Sequence, residues 1–185
     1  MLKSPLQLSV TCLQAGGVIA YPTEAVFGLG CDPDNSQAIE RLLTLKTRPK
    51  AKGLILVASD WQQLQPFVDF KALSDLQLER VLSSWPGATT WIIPSTTASP
   101  WLSGQFNSLA VRVSSHPVVQ QLCRAFGKPI VSTSANLAGQ QPAKTELELV
   151  TSFGDSLDYI YHGQIGSLNQ PTKIIDALTS ECLRG

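Results

Sequence analysis

The sequence predicts an α/β layer fold, in which helices pack against a sheet that is not purely parallel. Short apolar runs alternate along the chain with segments in which apolar residues recur every three to four positions. The composition agrees, because 43% of the residues are hydrophobic and only 15% are charged, as is typical of a compact globular chain. The connections between the runs vary too much in length for a regular series of parallel strands.

The helices are predicted from their start and stop signals. The first begins at Ser4, a capping hydroxyl followed by proline, and ends at the glycine pair 16–17. The second begins at Asn35 or Ser36 and ends before Pro49, because a proline disfavours helix in the residue that precedes it. Further helix starts are indicated at residues 74–77, 115–117 and 145–148.

The strands are predicted from apolar runs that are too short for helices. They cover residues 18–21, 54–58, 91–93, 109–113, 129–131, 159–161 and 173–176, with a closing hairpin over 177–183. After the first strand come Thr23 and Glu24, and then an expected loop that contains Gly28 and Gly30. Strands that end in polar loops are common ligand sites in α/β proteins.

Bulk properties limit the classes of function. The 185 residues suit one domain, 1–185, and the formal net charge of zero gives no general support for nucleic-acid binding. The four cysteines are too far apart in sequence for a zinc knuckle or a redox pair, so no structural metal site is expected. No stretch resembles a signal peptide or approaches the roughly 20 apolar residues of a membrane span, which predicts a cytoplasmic protein with reduced thiols.

Four cations lie within seven residues just past the second helix: Lys46, Arg48, Lys50 and Lys52. Arginine offers a planar fork of donors and lysine a compact charge, and a triphosphate with magnesium needs this kind of neutralisation. A solvated, charged surface is the alternative, and it has equal weight when the cluster is taken alone.

Three further features carry candidate chemistry. Ser132, Ser134 and Asn136 follow a buried strand, where they suit a phosphate, a ribose or a base edge, or form a polar turn. Arg112 lies inside an apolar strand and needs a partner if it is buried, either an anionic ligand or an internal ion pair. Thr90 follows a Pro-Gly turn, and a plain turn is favoured there.

Six stretches, taken in order, carry a resemblance to a known family. They are Tyr-Pro-Thr-Glu-Ala-Val-Phe-Gly-Leu-Gly-Cys-Asp (21–32), Leu-Lys-Thr-Arg-Pro (45–49), Lys-Gly-Leu-Ile-Leu (52–56), Trp-Pro-Gly-Ala-Thr-Thr (85–90), Ser-Leu-Ala-Val-Arg-Val (108–113) and Ser-Thr-Ser-Ala-Asn (132–136). Together they resemble the YrdC/TsaC family of L-threonylcarbamoyladenylate synthases, in its short bacterial single-domain form. Each stretch is weak singly, and the set is specific because of its order.

The resemblance implies a YrdC/RibB-like fold, a twisted mixed sheet flanked by helices around a large concave cavity. It implies an enzyme, a nucleotidyltransferase that makes L-threonylcarbamoyladenylate, pyrophosphate and water from L-threonine, bicarbonate and ATP. Mg²⁺ accompanies ATP. The product serves the threonylcarbamoyl transferase proteins TsaD, TsaB and TsaE, which modify tRNAs that read codons starting with A. Direct contact of this chain with tRNA is compatible with the resemblance, and no membrane partner is implied.

The same resemblance implies roles for individual residues. Lys46 and Arg48 match the catalytic Lys-x-Arg motif, which contacts ATP and its phosphates. Thr23 and Arg112 match the residues that bind the substrate threonine. The remaining implied ATP ligands are Thr90, Ser132, Ser134 and Asn136.

Two stretches depart from the family pattern. Longer members often carry His-Pro-Leu where this chain has Lys52-Gly53-Leu54, so a histidine contact to threonine is not available. The common Pro-Ser-Thr-Ile pattern reads Pro-Thr-Lys-Ile at 171–174, which makes Thr172 a less secure ligand.

Two other functions compete with this interpretation. An RNA-binding or ribosome maturation factor would use the basic concave face without chemistry, although the zero net charge and the lack of interleaved aromatic residues count against it. A different small-molecule enzyme on a RibB-type fold is the third, and the absence of a convincing acidic metal cluster in the sequence argues against it.

Overall fold

The computed structural model describes residues 3–96, 99–170 and 172–184. The α-helices are α1 (Pro5–Gln14), α2 (Ser36–Leu45), α3 (Asp75–Ser83), α4 (Pro100–Ser103), α5 (Pro117–Phe126) and α6 (Glu146–Phe153). The strands are β1 (Ile19–Pro22), β2 (Phe27–Gly30), β3 (Ile55–Ala58), β4 (Thr89–Pro94), β5 (Ser108–Val113), β6 (Ile130–Ser134), β7 (Tyr159–Ile160), β8 (Lys173–Asp176) and β9 (Cys182–Arg184). Short 3₁₀ helices lie at Lys50–Lys52, Trp61–Leu64, Phe70–Ala72 and Gly154–Ser156.

The strands of this described part form one nine-stranded mixed sheet in the order β7-β1-β2-β6-β3-β5-β4-β8-β9. Three pairs are parallel, namely β1 with β7, β3 with β5 and β4 with β8, and the others are antiparallel. The predicted fold class is therefore confirmed. The order also brings chain segments that are far apart in sequence, such as β2, β6 and β3, side by side at the centre.

Local capping signals explain where helices begin. Ser4 caps α1, because its hydroxyl accepts from the Gln7 backbone N–H at 3.2 Å and the Gln7 side chain accepts from the Ser4 N–H at 2.8 Å. The same reciprocal pairing starts α3 and α6, as predicted. Asn35 caps α2 through Oδ1, which accepts from the Ala38 N–H at 3.0 Å.

Alternate residues of the strands point to opposite faces of the sheet, and each face has its own core. On one face, Leu13 of α1 and Leu122 of α5 are fully buried against Ile19 and Val57. On the other face, α2, α3 and α6 cover a larger cluster that contains Leu56 and other apolar residues. Burying one leucine side chain contributes about 1.5–3 kcal/mol, so the two layers supply most of the driving force for folding.

One local prediction is wrong: the expected loop around Gly28 and Gly30 is strand β2. It forms a tight hairpin with β1, in which Tyr21 lies opposite Gly28. A Cβ on Gly30 would lie 2.5 Å from the Val131 carbonyl oxygen and 2.8 Å from the Tyr21 ring. The glycine therefore allows close packing of neighbouring strands instead of marking a loop.

No helix within residues 3–96, 99–170 and 172–184 is both long enough and apolar enough to cross a bilayer.

Candidate functional site

A cavity of about 550 Å³ lies on the sheet face that also carries α1 and α5. Ile55 faces Ala110 of β5 on one side and Ser132 of β6 on the other, and all three side chains line the cavity. They lie beside Val57 and Ile130, whose side chains are covered on the same face by α5. The volume lies within the range of typical small-molecule sites, roughly 300–1,000 Å³.

The predicted site residues fall into two groups. Thr23, Arg48, Arg112, Ser132 and Ser134 line the cavity, although they come from separate stretches of the chain. The other predicted residues, Lys46, Thr90 and Asn136, lie next to the wall and do not form it. The roles of the residues in both groups stay predictions.

The lining is strongly cationic. Arg48, Lys52, Arg112 and Arg184 all line the cavity. Among the described lining residues, Asp176 carries the only carboxylate, and its Oδ1 accepts from the backbone N–H groups of residues 178 and 179. The excess of positive charge suits a polyanionic ligand.

Arg184 is a cavity residue that sequence reasoning missed. It stands at the exposed rim on β9, where its Nη2 and Nε donate to the Thr172 carbonyl oxygen at 3.0 and 3.2 Å. Partial burial, followed by the charges of Arg112 and Arg48, lowers the pKa of Arg184. The positive charges of Arg112 and Arg48 therefore act unfavourably on Arg184, and an anion in the cavity would offset this effect. Only the pairing of β9 with β8 brings this residue to the site.

The turn after α2 directs the side chains of the predicted cation cluster to different places in the fold. The Thr47 N–H donates to the Thr44 carbonyl and the Arg48 N–H to the Leu43 carbonyl, which is the Schellman pattern. Thr47 has a φ of 51°, where glycine is usual. The turn leaves Arg48 on the cavity wall, where its Nη2 donates to the Gly53 carbonyl at 2.9 Å.

The other lysines of the cluster divide between the cavity and the surface. Lys52 joins Arg48 on the cavity wall. Lys50 instead lies over the Trp101 ring, 3.1 Å from its centroid. A cluster that is contiguous in sequence is therefore not one surface in the fold.

Lys46 lies beneath the wall and is 5% exposed. Its ammonium donates to the carbonyl oxygens of Ser134 and Asn136 at 2.5 and 2.7 Å, and to Asn136 Oδ1 at 3.3 Å. Burial, with a smaller contribution from the charge of Arg48, lowers the pKa of Lys46 to about 8. In this structure Lys46 anchors the loop that follows β6.

The end of β6 and the two residues after it, Ser134–Asn136, are also fixed by their own side chains. Ser134 Oγ donates to Asn136 Oδ1 at 2.6 Å. Asn136 Nδ2 donates to the carbonyl oxygens of Leu137 and Gln140, both at 3.0 Å. The Ser-x-Asn motif is therefore a rigid rim whose shape depends on Lys46, a positively charged group below it.

Two further hydroxyls on the wall are each held by one hydrogen bond. Thr23 Oγ1 donates to the Val26 carbonyl at 2.6 Å, which closes the β1–β2 turn. Ser132 Oγ accepts from the Tyr21 hydroxyl at 2.8 Å, and burial raises the pKa of that tyrosine. Thr90 is fully buried behind Thr172, and their hydroxyl oxygens are 3.5 Å apart.

The sequence left two partners open for Arg112, an anionic ligand or an internal ion pair, and its position in the structure is compatible with both. Its guanidinium lines the cavity, and its Nη2 is also 3.3 Å from Glu24 Oε2 in an internal ion pair. Both side chains are 7% exposed. Arg112 is therefore a buried cation that is partly neutralised by Glu24 and can still contact a ligand in the cavity.

The donor set of the cavity does not suggest a resident metal. Across residues 3–96, 99–170 and 172–184, no group of three or more His, Cys, Asp or Glu side chains is placed to hold a metal ion. Magnesium often keeps waters and binds to substrate phosphates with one or two carboxylates. The expectation that Mg²⁺ accompanies ATP stays a prediction.

Comparison with known proteins identifies the family. A family model described as Sua5_yciO_yrdC, telomere recombination, matches residues 11–184. The chain belongs to the Sua5/YciO/YrdC family. This confirms the family predicted from the six sequence stretches.

Curated members of the Sua5/YciO/YrdC family are similar to this chain over nearly its whole length. A threonylcarbamoyl-AMP synthase of Photobacterium profundum is 56% identical over 97% of this chain and 97% of that protein. Another, from Yersinia enterocolitica serotype O:8, is 56% identical over 98% of this chain and 96% of that protein.

Solved structures of family members have the same fold. P. abyssi Sua5 with H234A/Y235A substitutions superposes with a TM-score of 0.88 at 22% identity, covering 97% of this chain and 56% of that one. P. abyssi Sua5 in complex with L-threonine gives a TM-score of 0.85 at 22% identity, covering 95% of this chain and 52% of that one. E. coli YciO gives a TM-score of 0.79 at 26% identity, covering 98% of this chain and 92% of that one. This chain thus spans about half the length of the Sua5 chains and nearly all of YciO.

Proposed function

We propose that this chain is a threonylcarbamoyl-AMP synthase, which makes L-threonylcarbamoyladenylate and pyrophosphate from L-threonine, bicarbonate and ATP. The observation that carries the proposal is the cavity, in which cations from separate elements face one space with a single carboxylate among the described lining residues. Relatives that are 56% identical over almost the whole chain bear this enzyme's name, and it is the enzyme that the sequence motifs predict.

The reaction joins the three substrates in two steps. The amine nitrogen of threonine attacks the carbon of bicarbonate or of carbon dioxide, which gives a carbamate, and water is the by-product when bicarbonate reacts. A carbamate oxygen then attacks the α-phosphorus of ATP, the bond to the β-phosphate oxygen breaks, and pyrophosphate leaves. No covalent intermediate with the enzyme is needed. Positioning and neutralisation of charge are sufficient kinds of catalysis for such a transfer.

Threonine would occupy the side of the cavity that Arg112 and Thr23 line. Arg112 offers guanidinium donors to the substrate carboxylate, and Thr23 keeps acceptor sites on a hydroxyl whose proton is already used by Val26. A protein of the same fold, P. abyssi Sua5, has been solved with L-threonine, which supports a threonine site in this architecture.

The triphosphate, with its magnesium ion, would lie against Arg48, Lys52 and Arg184. Their positive charges oppose the charge that develops on pyrophosphate as it leaves. Ser132 and the Ser134–Asn136 rim would hold the rest of the nucleotide, with Lys46 acting through the rim that it anchors. Thr90 would act through Thr172, its neighbour on the wall.

We also propose a place for the product in tRNA modification in the cytoplasm. A mixed anhydride of a carbamate and AMP is an activated acyl donor, so an acyltransferase must consume it. The TsaD, TsaB and TsaE proteins are the proposed partners, with tRNA as the final acceptor.

Pyrophosphate release tests the proposed function. With purified protein and Mg²⁺, release should require ATP, L-threonine and bicarbonate together, and should fall to background when any one is omitted. Release that does not depend on threonine would contradict the proposal. Binding of tRNA that weakens steeply with salt, without threonine-dependent release, would favour the RNA-binding alternative.

A further inference from the structure

The ion pair behind Arg112 is incompletely bonded. Among the described residues, Glu24 Oε2 and Arg112 Nε are both buried atoms without a hydrogen-bond partner. Each residue as a whole is only 6% exposed. Buried polar atoms are usually paired, so two unpaired ones within one ion pair beside a cavity require a reason.

The carboxylate of Glu24 is held firmly on its other side. Ser114 Oγ donates to Glu24 Oε1 at 2.7 Å, and the Ser115 backbone N–H donates to the same oxygen at 3.2 Å. Both donors follow directly after β5, the strand that carries Arg112. The carboxylate therefore has a fixed position relative to the guanidinium.

The backbone at Thr23 and Glu24 is covered by the segment that contains Gly166. The Gly166 N–H donates to the Thr23 carbonyl at 2.8 Å, and the Leu168 N–H donates to the Glu24 carbonyl at 3.1 Å. A Cβ on Gly166 would lie 2.6 Å from the Glu24 carbonyl oxygen. This segment packs closely over Glu24, whose side chain is not part of the cavity wall.

We propose that Glu24 is a positioning residue for L-threonine, which acts only through Arg112. Its Oε2 holds the Nη2 end of the guanidinium, which fixes the orientation in which Arg112 meets the substrate carboxylate in the cavity. The inference rests on the proposed function. Glu24 does not touch threonine and does not act as a base.

The geometry explains why a carboxylate stands at this position. An arginine buried alone is strongly unfavourable, and a neighbouring carboxylate compensates its charge. A tight two-bond pair would occupy the donors that threonine needs, whereas a single contact at 3.3 Å leaves a donor free. The partial pairing thus combines neutralisation with an open binding geometry.

Substitution of Glu24 by glutamine separates this role from a general structural one. Glu24→Gln keeps the size and an acceptor for Ser114, and removes the charge that orients Arg112. The KM for L-threonine should rise about tenfold, which corresponds to about 1.4 kcal/mol, while the KM for ATP stays within about twofold. Glu148→Gln is the matched control, because the Glu148 carboxylate also accepts backbone N–H groups, at Lys144 and Thr145, but lies at a helix start. It should change neither KM.

A double-mutant cycle with Arg112→Lys tests whether Glu24 acts through Arg112. If it does, the two substitutions together should raise the KM for threonine much less than the product of their separate effects. Independent effects, equal changes in both KM values, or no change in Glu24→Gln would each overturn the proposal.

Two further controls keep the result interpretable. If Glu24→Gln does not fold, Ser114→Ala removes one donor that fixes the carboxylate, and should give a smaller rise in the threonine KM alone; no rise would overturn the proposal. Failure of the proposed function is distinguishable, because the wild-type protein would then show no threonine-dependent pyrophosphate release.

Discussion

Replacing Lys46 with methionine should damage both the stability of the protein and its use of ATP. The ammonium is the shared donor for the Ser134 and Asn136 carbonyl oxygens, at 2.5 and 2.7 Å. Methionine has a similar length and no donor. The variant therefore removes the anchor of the Ser-x-Asn rim and leaves the apolar stem in place.

The magnitude follows from these contacts. Hydrogen bonds from a charged donor contribute about 1.5–3 kcal/mol each, so the two short contacts give about 3–6 kcal/mol before other effects. The loss is smaller in practice, because methionine also avoids burying an ammonium, and because Ser134 is exposed and its carbonyl can take water. We expect a net loss of about 2 kcal/mol, which lowers the Tm by roughly 4–8 °C for a chain of this size. The looser rim should raise the KM for ATP by about tenfold or more.

Thermal unfolding and threonine-dependent pyrophosphate release, measured on the same preparations, check both effects. Lys128→Met is the control, because Lys128 is a partly exposed lysine that pairs with Asp32 and Asp34 at 2.6 and 2.7 Å. Such surface pairs are worth about 0–1 kcal/mol, so the control should stay near wild type in both assays. A raised KM for ATP with an unchanged Tm would refute the anchoring role and favour direct contact of Lys46 with phosphate.

Two other predictions concern Lys46 and Thr47 in the turn that ends α2. Folding lowers the pKa of Lys46 from 10.5 to about 8. Between these two pH values the lysine is protonated in the unfolded chain and largely neutral in the folded one. The contribution of Lys46 therefore makes the folded state more stable as pH rises from about 8 to 10.5. The neutral amine has one donor fewer for the rim, so the KM for ATP should nevertheless rise above pH 8; a flat profile from about pH 7 to 9.5 would contradict this. Thr47→Gly relieves a β-branched residue at a φ of 51° and should stabilise the fold by about 0.5–1 kcal/mol in urea unfolding without loss of activity. An unchanged or lower midpoint would show that Thr47 makes compensating contacts.

The parts of the fold that the sequence predicted correctly depend on short-range chemistry. Capping hydroxyls mark the starts of α1, α3 and α6, and Pro49 lies just past the end of α2. The strand β2 was missed because its glycines are typical of loops. Their cause is long-range, since Gly30 packs against Tyr21 and Val131 of two other strands.

The candidate site shows the same limit. Motif order indicated Thr23, Arg48 and Arg112, all of which line the cavity. Arg184 carries no local signal, because its place at the rim depends on strand pairing near the other end of the chain. Lys46 had the expected charge and neighbourhood, but only the fold shows that its donors point to carbonyl oxygens of the rim. The sequence therefore indicated which residues belong to the candidate site, but it did not indicate the directions of their side chains.

Separate titrations of the two substrates test most directly whether one cavity holds threonine and the triphosphate side by side. Calorimetric binding of L-threonine and of a non-hydrolysable Mg²⁺·ATP analogue should be measured for wild type, Arg112→Gln and Arg184→Gln. The account predicts a crossover: Arg112→Gln loses about tenfold or more in affinity for threonine and keeps the nucleotide, while Arg184→Gln loses the nucleotide and keeps threonine. Loss of the same ligand in both variants, or of neither, would contradict it.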